Sequence, residues 1–150
     1  YYRSNTPQGL RLGCACAAKL GAPFARLSDD PVLTFPGDEF VEDPFVWHNG
    51  EHYELIAKDI RGGICGEIFA GIHAHSRDGL EWTLCDPPKA YSRTIRWDDG
   101  TVTDQGCVER PQLLLRDGIP THLFAATGDG PGGFRNCRNT WNLVIPLAQS

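Results

Sequence analysis

Three carboxylates stand at two matching places in the chain. Glu42 and Asp43 directly precede Pro44 in "EDPFVWH", and Glu109 stands two residues before Pro111 in "ERPQLLL". Setting Pro44 on Pro111 lays "EDPFVWHNGEHYELIA" over "ERPQLLLRDGIPTHLFAA", so an acid recurs at the same step of a repeat. If both segments begin the first strands of neighbouring sheets, their carboxylates converge on one pocket. Convergent carboxylates are what glycosidic-bond hydrolysis requires: one stays ionised while another is held protonated to donate to the leaving oxygen. The alternative is that each acid decorates a solvated strand entry.

Other residue types bear on the same chemistry. Arg93 and Arg110 are candidate partners for the carboxylates or for a substrate oxyanion, and Trp47 has the flat apolar face that stacks on sugars. Trp82 and Trp141 are better explained as sheet packing. His73 and His75, in "GIHAHS", share a strand and point the same way. A His-x-His pair can form one edge of a metal site, but no third ligand accompanies it at good spacing, and Cys65 and Glu67 lack support. No metal site is therefore expected. His73 is instead a candidate for bonding sugar or a central cation. "GDGPGG" at 128–133 has no lysine and no following helix, which argues against a phosphate loop. The six cysteines form no C-x-x-C pair; Cys14 and Cys16, two apart in an apolar run, read as small buried residues on one side of a strand.

These residues need strands to hold them. No segment carries a 3.6-residue apolar period. Short apolar runs recur between Gly, Pro, Asn and Asp, which predicts strands near 11–18, 24–27, 44–48, 52–58, 71–76, 81–84, 94–97, 111–116, 121–127 and 141–147. Asn49-Gly50, Asp78-Gly79, Asp99-Gly100 and Asp117-Gly118 read as hairpin turns. A second repeat lays "GCACAAKLGAPFARL" over "GIHAHSRDGLEWTL". Joined, the two half-units make a four-stranded antiparallel sheet, and such sheets in series are the blades of a β-propeller. The chain then holds about two and a half blades: the end of one at 1–30, a complete one at 40–86, a hairpin or loop insertion at 87–108, and the last at 109–150.

Composition sets the outer bounds. At 150 residues the chain is long enough for one domain with a real core. Fourteen Lys and Arg against nineteen Asp and Glu give a formal charge of −5 without a basic cluster, so nucleic acid is a poor partner. No apolar run approaches the roughly 18 residues of a membrane span. The sequence contains no methionine, so Tyr1 reads as an internal position of something longer. The compartment is not legible.

On "FVEDPFVWHNGEHYELIAKD", "AGIHAHSRDGLEWTL", "AYSRTIRWDDG", "VERPQLLLRDGIPTHLFAAT" and "TWNLVIPL", the chain resembles the five-bladed β-propeller glycosidases of glycoside hydrolase families 43 and 117. The resemblance covers essentially the whole chain. It implies an all-β partial propeller, the C-terminal portion of an enzyme that hydrolyses a glycosidic bond in an oligo- or polysaccharide, with inversion. In family 43 an Asp base, an orienting Asp and a Glu acid come from successive inner strands. Asp43 matches the orienting Asp and Glu109 the acid, with Glu42, His73, Arg93, Arg110 and Trp47 implied around the substrate. The base would come from a first blade that the chain lacks. In family 117 a histidine is proposed as the acid. No cofactor is implied beyond room for a central-channel cation such as Ca2+. The partners implied are a carbohydrate and either N-terminal blades or a second copy. The alternative is a non-catalytic carbohydrate-binding or assembly fragment without the base.

Overall fold

The computed structural model describes residues 1–7, 9–34 and 40–148. Strand takes 55% of the chain and helix 2%, so the all-β expectation holds. In chain order the strands are β1 (Tyr2–Thr6), β2 (Gly9–Gly13), β3 (Ala15–Cys16), β4 (Ala25–Arg26), β5 (Val41–His48), β6 (Tyr53–Asp59), β7 (Ala70–Ser76), β8 (Thr83–Tyr91), β9 (Thr94–Arg96), β10 (Val102–Asp104), β11 (Cys107–Arg116), β12 (Ile119–Gly128) and β13 (Thr140–Pro146). A 3-10 turn, Phe134–Asn136, precedes β13.

Two sheets dominate. Strands β5-β6-β7-β8 form a four-stranded antiparallel meander, and β11-β12-β13 form a three-stranded one. The two-stranded ribbons β1-β2, β3-β4 and β9-β10 flank them, and among the described residues no sheet closes on itself. This series of small antiparallel sheets is consistent with a partial propeller. The hairpins follow the turn chemistry. At Asp117-Gly118 both central residues are left-handed, with φ of 53° and 79°, the type I′ geometry whose twist matches the flanking strands.

The four-stranded sheet is buried on both faces, as alternation along β6 dictates. Leu55 and Ala57, with Ile72 and Ala74 from β7, pack on Leu12, Leu33 and Val41. Ile56 and Tyr91 face the other way, onto Ile95, Val108, Leu123, Ala125 and Leu143. The residues on the second face come from the β9-β10 ribbon and the three-stranded sheet. The meander is thus the middle layer, and its second face presses β5 against β11.

Local readings differ in places. The strand expected at 11–18 breaks at Cys14, so Cys14 is buried while Cys16 is exposed, and the two do not share an inward face. Strand β1 was not legible: its exposed middle, Arg3–Asn5, lacks the apolar alternation that marks a strand. Strand β8 continues past Leu84 to Tyr91 through two prolines, as an edge strand can. Trp82 packs on the first core and meets Tyr1 edge-on, but Trp141 is exposed rather than packed.

Candidate functional site

The site is made by two matching irregularities. In β5 the pairing with β6 slips between Glu42 and Phe45; in β11 the pairing with β12 slips between Glu109 and Gln112. At the centre of each slip a non-glycine residue is left-handed, Asp43 at φ 55° and Arg110 at φ 51°. Each bulge accommodates a proline, which cannot donate to the ladder, and bends the strand at the acid. A left-handed non-glycine residue costs on the order of 1–3 kcal/mol and persists where surrounding contacts impose it. Here the bulges touch: the Arg110 backbone N–H donates to Asp43 Oδ2 at 3.2 Å, tying β11 to β5.

The result is a compact acidic cluster. Carboxylate oxygens of Glu42, Asp43 and Glu109 all lie within 4.8 Å of one another. Glu109 is buried; Glu42 and Asp43 are half-buried. In their midst sits Lys58 of β6, 2% exposed. Its Nζ donates to Glu109 Oε2, lies 2.5 Å from Glu42 Oε1, and is 3.8 Å from Asp43 Oδ2. Arg3 of β1 reaches Glu42 Oε2 at 2.5 Å. Three negative charges therefore face two positive ones.

The electrostatics follow from burial and pairing. Burial alone would lower the Lys58 pKa, but hydrogen bonds to Glu109 and Glu42 outweigh it and raise the ammonium above its ordinary value. Burial alone would raise Glu42, and the contacts with Lys58 and Arg3 reverse this, holding its carboxyl below the usual range. Tyr91 closes the floor. Its ring lies on Gly71, where any Cβ would strike it, and its hydroxyl is buried with no hydrogen-bond partner among the described residues. Burial, then the charges of Asp43 and Glu109, push that phenol well above its ordinary value of 10.0.

The remaining candidates lie elsewhere. Trp47 and His73 stack at 6.2 Å, nearly parallel, further along the same face, with His73 Nε2 2.8 Å from Glu54 Oε2. The Arg110 side chain is exposed, and only its backbone joins the cluster. Arg93 Nη1 donates to the Gln105 carbonyl and holds the β9-β10 ribbon. Glu67 receives the Arg93 backbone N–H, the Ser92 hydroxyl and Lys89, so it anchors a loop. Sequence reasoning missed Lys58 and Tyr91. The signal for Lys58 was parity: it follows Glu54 and Ile56 on one face of a strand that is buried beyond them.

Two solved structures share this fold. One is named "Glycoside hydrolase", with a TM-score of 0.62 and 15% identity over 99% of this chain. The other is named as a complex of BT0996 and RGII, with a TM-score of 0.63 and 15% identity, again over 99% of this chain. The chain has a glycoside hydrolase-like fold. It spans 40% of the length of each of those structures. No protein-family model matches it, and no curated protein matches it. At this identity the likeness speaks for the fold, and the chemistry rests on the cluster itself.

Proposed function

We propose that this chain is the C-terminal part of a propeller glycosidase, and that the cluster of Glu42, Asp43 and Glu109 is its share of the active site. The observation that carries the reading is the convergence of these three carboxylates within 4.8 Å from two adjacent bulged strands. Acid and base carboxyls of an inverting glycosidase stand about 6.5–9.5 Å apart to admit water, and those of a retaining one about 5–5.5 Å. Asp43 and Glu109 are too close to be an inverting acid–base pair. They fit an orienting carboxylate beside the acid, with the base supplied by strands outside this chain. Two further features support a polyol ligand: the buried Tyr91 hydroxyl has no partner among the described residues, and Glu109, Asp43 and Lys58 offer acceptors and a donor at one spot.

One observation favours a second reading, carbohydrate binding without turnover. Lys58 already occupies Glu109 Oε2, the position from which an acid would serve a leaving oxygen. Aryl glycoside panels, with direct sugar binding alongside, separate the two. The 150-residue chain alone is expected to show no appreciable hydrolysis. The chain extended N-terminally by the preceding strands is expected to turn over, and Glu109→Gln in it to lose about 10²–10⁴-fold, least with good leaving groups. Binding without turnover in the extended chain would establish the second reading. Robust hydrolysis by the short chain, indifferent to Glu109→Gln, would overturn the site assignment.

A further inference from the structure

At the other end of the same sheet face, three adjacent strands bring together a different set of donors. Glu54 of β6, His73 of β7 and Cys85 of β8 place one ligand-type atom each within 4.8 Å of the others. No third ligand for the His-x-His pair was visible in the sequence, because Glu54 and Cys85 are remote along the chain and only strand register unites them. Glu54 pairs with His75 across the ladder, and Cys85 follows Leu84, the partner of Ala74, beside His73.

The geometry points to a zinc site: Glu54 Oε2, His73 Nε2 and Cys85 Sγ bind one Zn2+, with His75 Nδ1 as the fourth donor. Sulfur, imidazole and carboxylate together are a donor set that suits Zn2+ and not Ca2+ or Mg2+. Tetrahedral ligands with metal distances of about 2.0–2.3 Å lie roughly 3.3–3.8 Å apart. Cys85 Sγ is 3.6 Å from His75 Nδ1, and Glu54 Oε2 is 2.8 Å from His73 Nε2, so one ion between them needs only small side-chain shifts. The surroundings fix the ligands as outer contacts of metal sites do. His52 Nε2 lies 2.9 Å from Glu54 Oε1, leaving Oε2 for the metal. Trp47, flat against His73, holds that ring's orientation. The ion would staple β6, β7 and β8 at the end of the sheet away from the carboxylates. This site stands independently of the glycosidase reading.

The test uses the chain stripped with a chelator, then titrated with Zn2+, and with Co2+ as a spectroscopic substitute. One Zn2+ per chain is expected by equilibrium dialysis. The Co2+ form is expected to show a thiolate charge-transfer band and the intense visible bands of four-coordination. Cys85→Ser should remove the thiolate band, His73→Gln should weaken binding more than 100-fold, and His52→Ala, an outer contact, about 10–100-fold. Alkylation mapped by mass spectrometry needs no variant: Zn2+ should protect Cys85 and leave Cys16, Cys65 and Cys137 unchanged. Absence of stoichiometric Zn2+ binding overturns the proposal. So does binding that leaves Cys85 as reactive as before, or that survives both Cys85→Ser and His73→Gln.

Discussion

Lys58 is the residue on which the acidic cluster depends. Removing one partner of a buried ion pair leaves its counter-charge uncompensated, at a cost of about 3–5 kcal/mol. Lys58→Met, which keeps the length of the stem, should therefore destabilise the chain by about that much in urea unfolding. A loss under about 1 kcal/mol, the scale of an exposed pair, would mean that solvent reaches the cluster freely. The same contacts set a pH dependence. Folding lowers the Glu42 pKa below its ordinary 4.5, so the unfolded chain binds more protons as pH falls. The stabilisation from Glu42 is present above pH 4.5 and is lost as pH drops through its folded value. Lys58 has the opposite sign: its raised pKa stabilises below 10.5, and that is lost as pH rises through its folded value. Melting temperature against pH should fall on the acid side, and Glu42→Gln should flatten that limb. An unchanged limb would place the acid sensitivity in other groups. At this scale the acids were legible, because acid-x-Pro or acid-Pro recurs at matched positions. The lysine was not, because a charged residue in a strand reads as solvent-facing until the neighbouring sheet is known to cover it.

At the scale of elements, the bulged first strands and the glycine opposite Tyr91 do most to shape the site. Gly71 has an ordinary strand conformation; its constraint is steric, since Tyr91 rests where a Cβ would be. Tyr91 is packed in the second core and has little room to withdraw. Gly71→Ala should thus behave as overpacking, costing about 1–3 kcal/mol, with Tyr91→Leu in the same chain recovering part of it. A neutral Gly71→Ala by chemical denaturation would show that the ring moves aside easily. Hairpin register was readable because Asn-Gly and Asp-Gly turns fix it locally. The ends of β8 and the existence of β1 were not, since Asp86-Pro87-Pro88 reads as a break and Arg3–Asn5 as surface loop, and tertiary pairing decided both. The Glu54, His73 and Cys85 grouping belongs to the same class of fact, a product of register across three strands that no local spacing announces.

At the scale of the molecule, one sheet is covered twice and the other only once. The three-stranded sheet buries Leu123, Ala125 and Leu143 against the middle layer. Its opposite face carries Leu114, Phe124 and Val144, at 40%, 40% and 52% exposure, with Phe124 paired directly to Val144. Alternation makes such a face as apolar as the buried one only when something covers it. The all-β class and the serial sheets were legible from the recurring apolar runs and turns; this one-sided burial was expected from an unclosed series of blades, since a ring must cover both faces of every sheet. On the propeller reading the cover is further blades, from an N-terminal extension or a second copy. The 150-residue chain should accordingly sediment above its 16.5 kDa mass at micromolar concentration. Phe124→Lys with Val144→Lys should return it to the monomer without unfolding it, because both side chains project from the exposed face. A wild-type chain that stays monomeric across the concentration range would remove the case for a covered face, and with it the support this surface lends to a larger propeller.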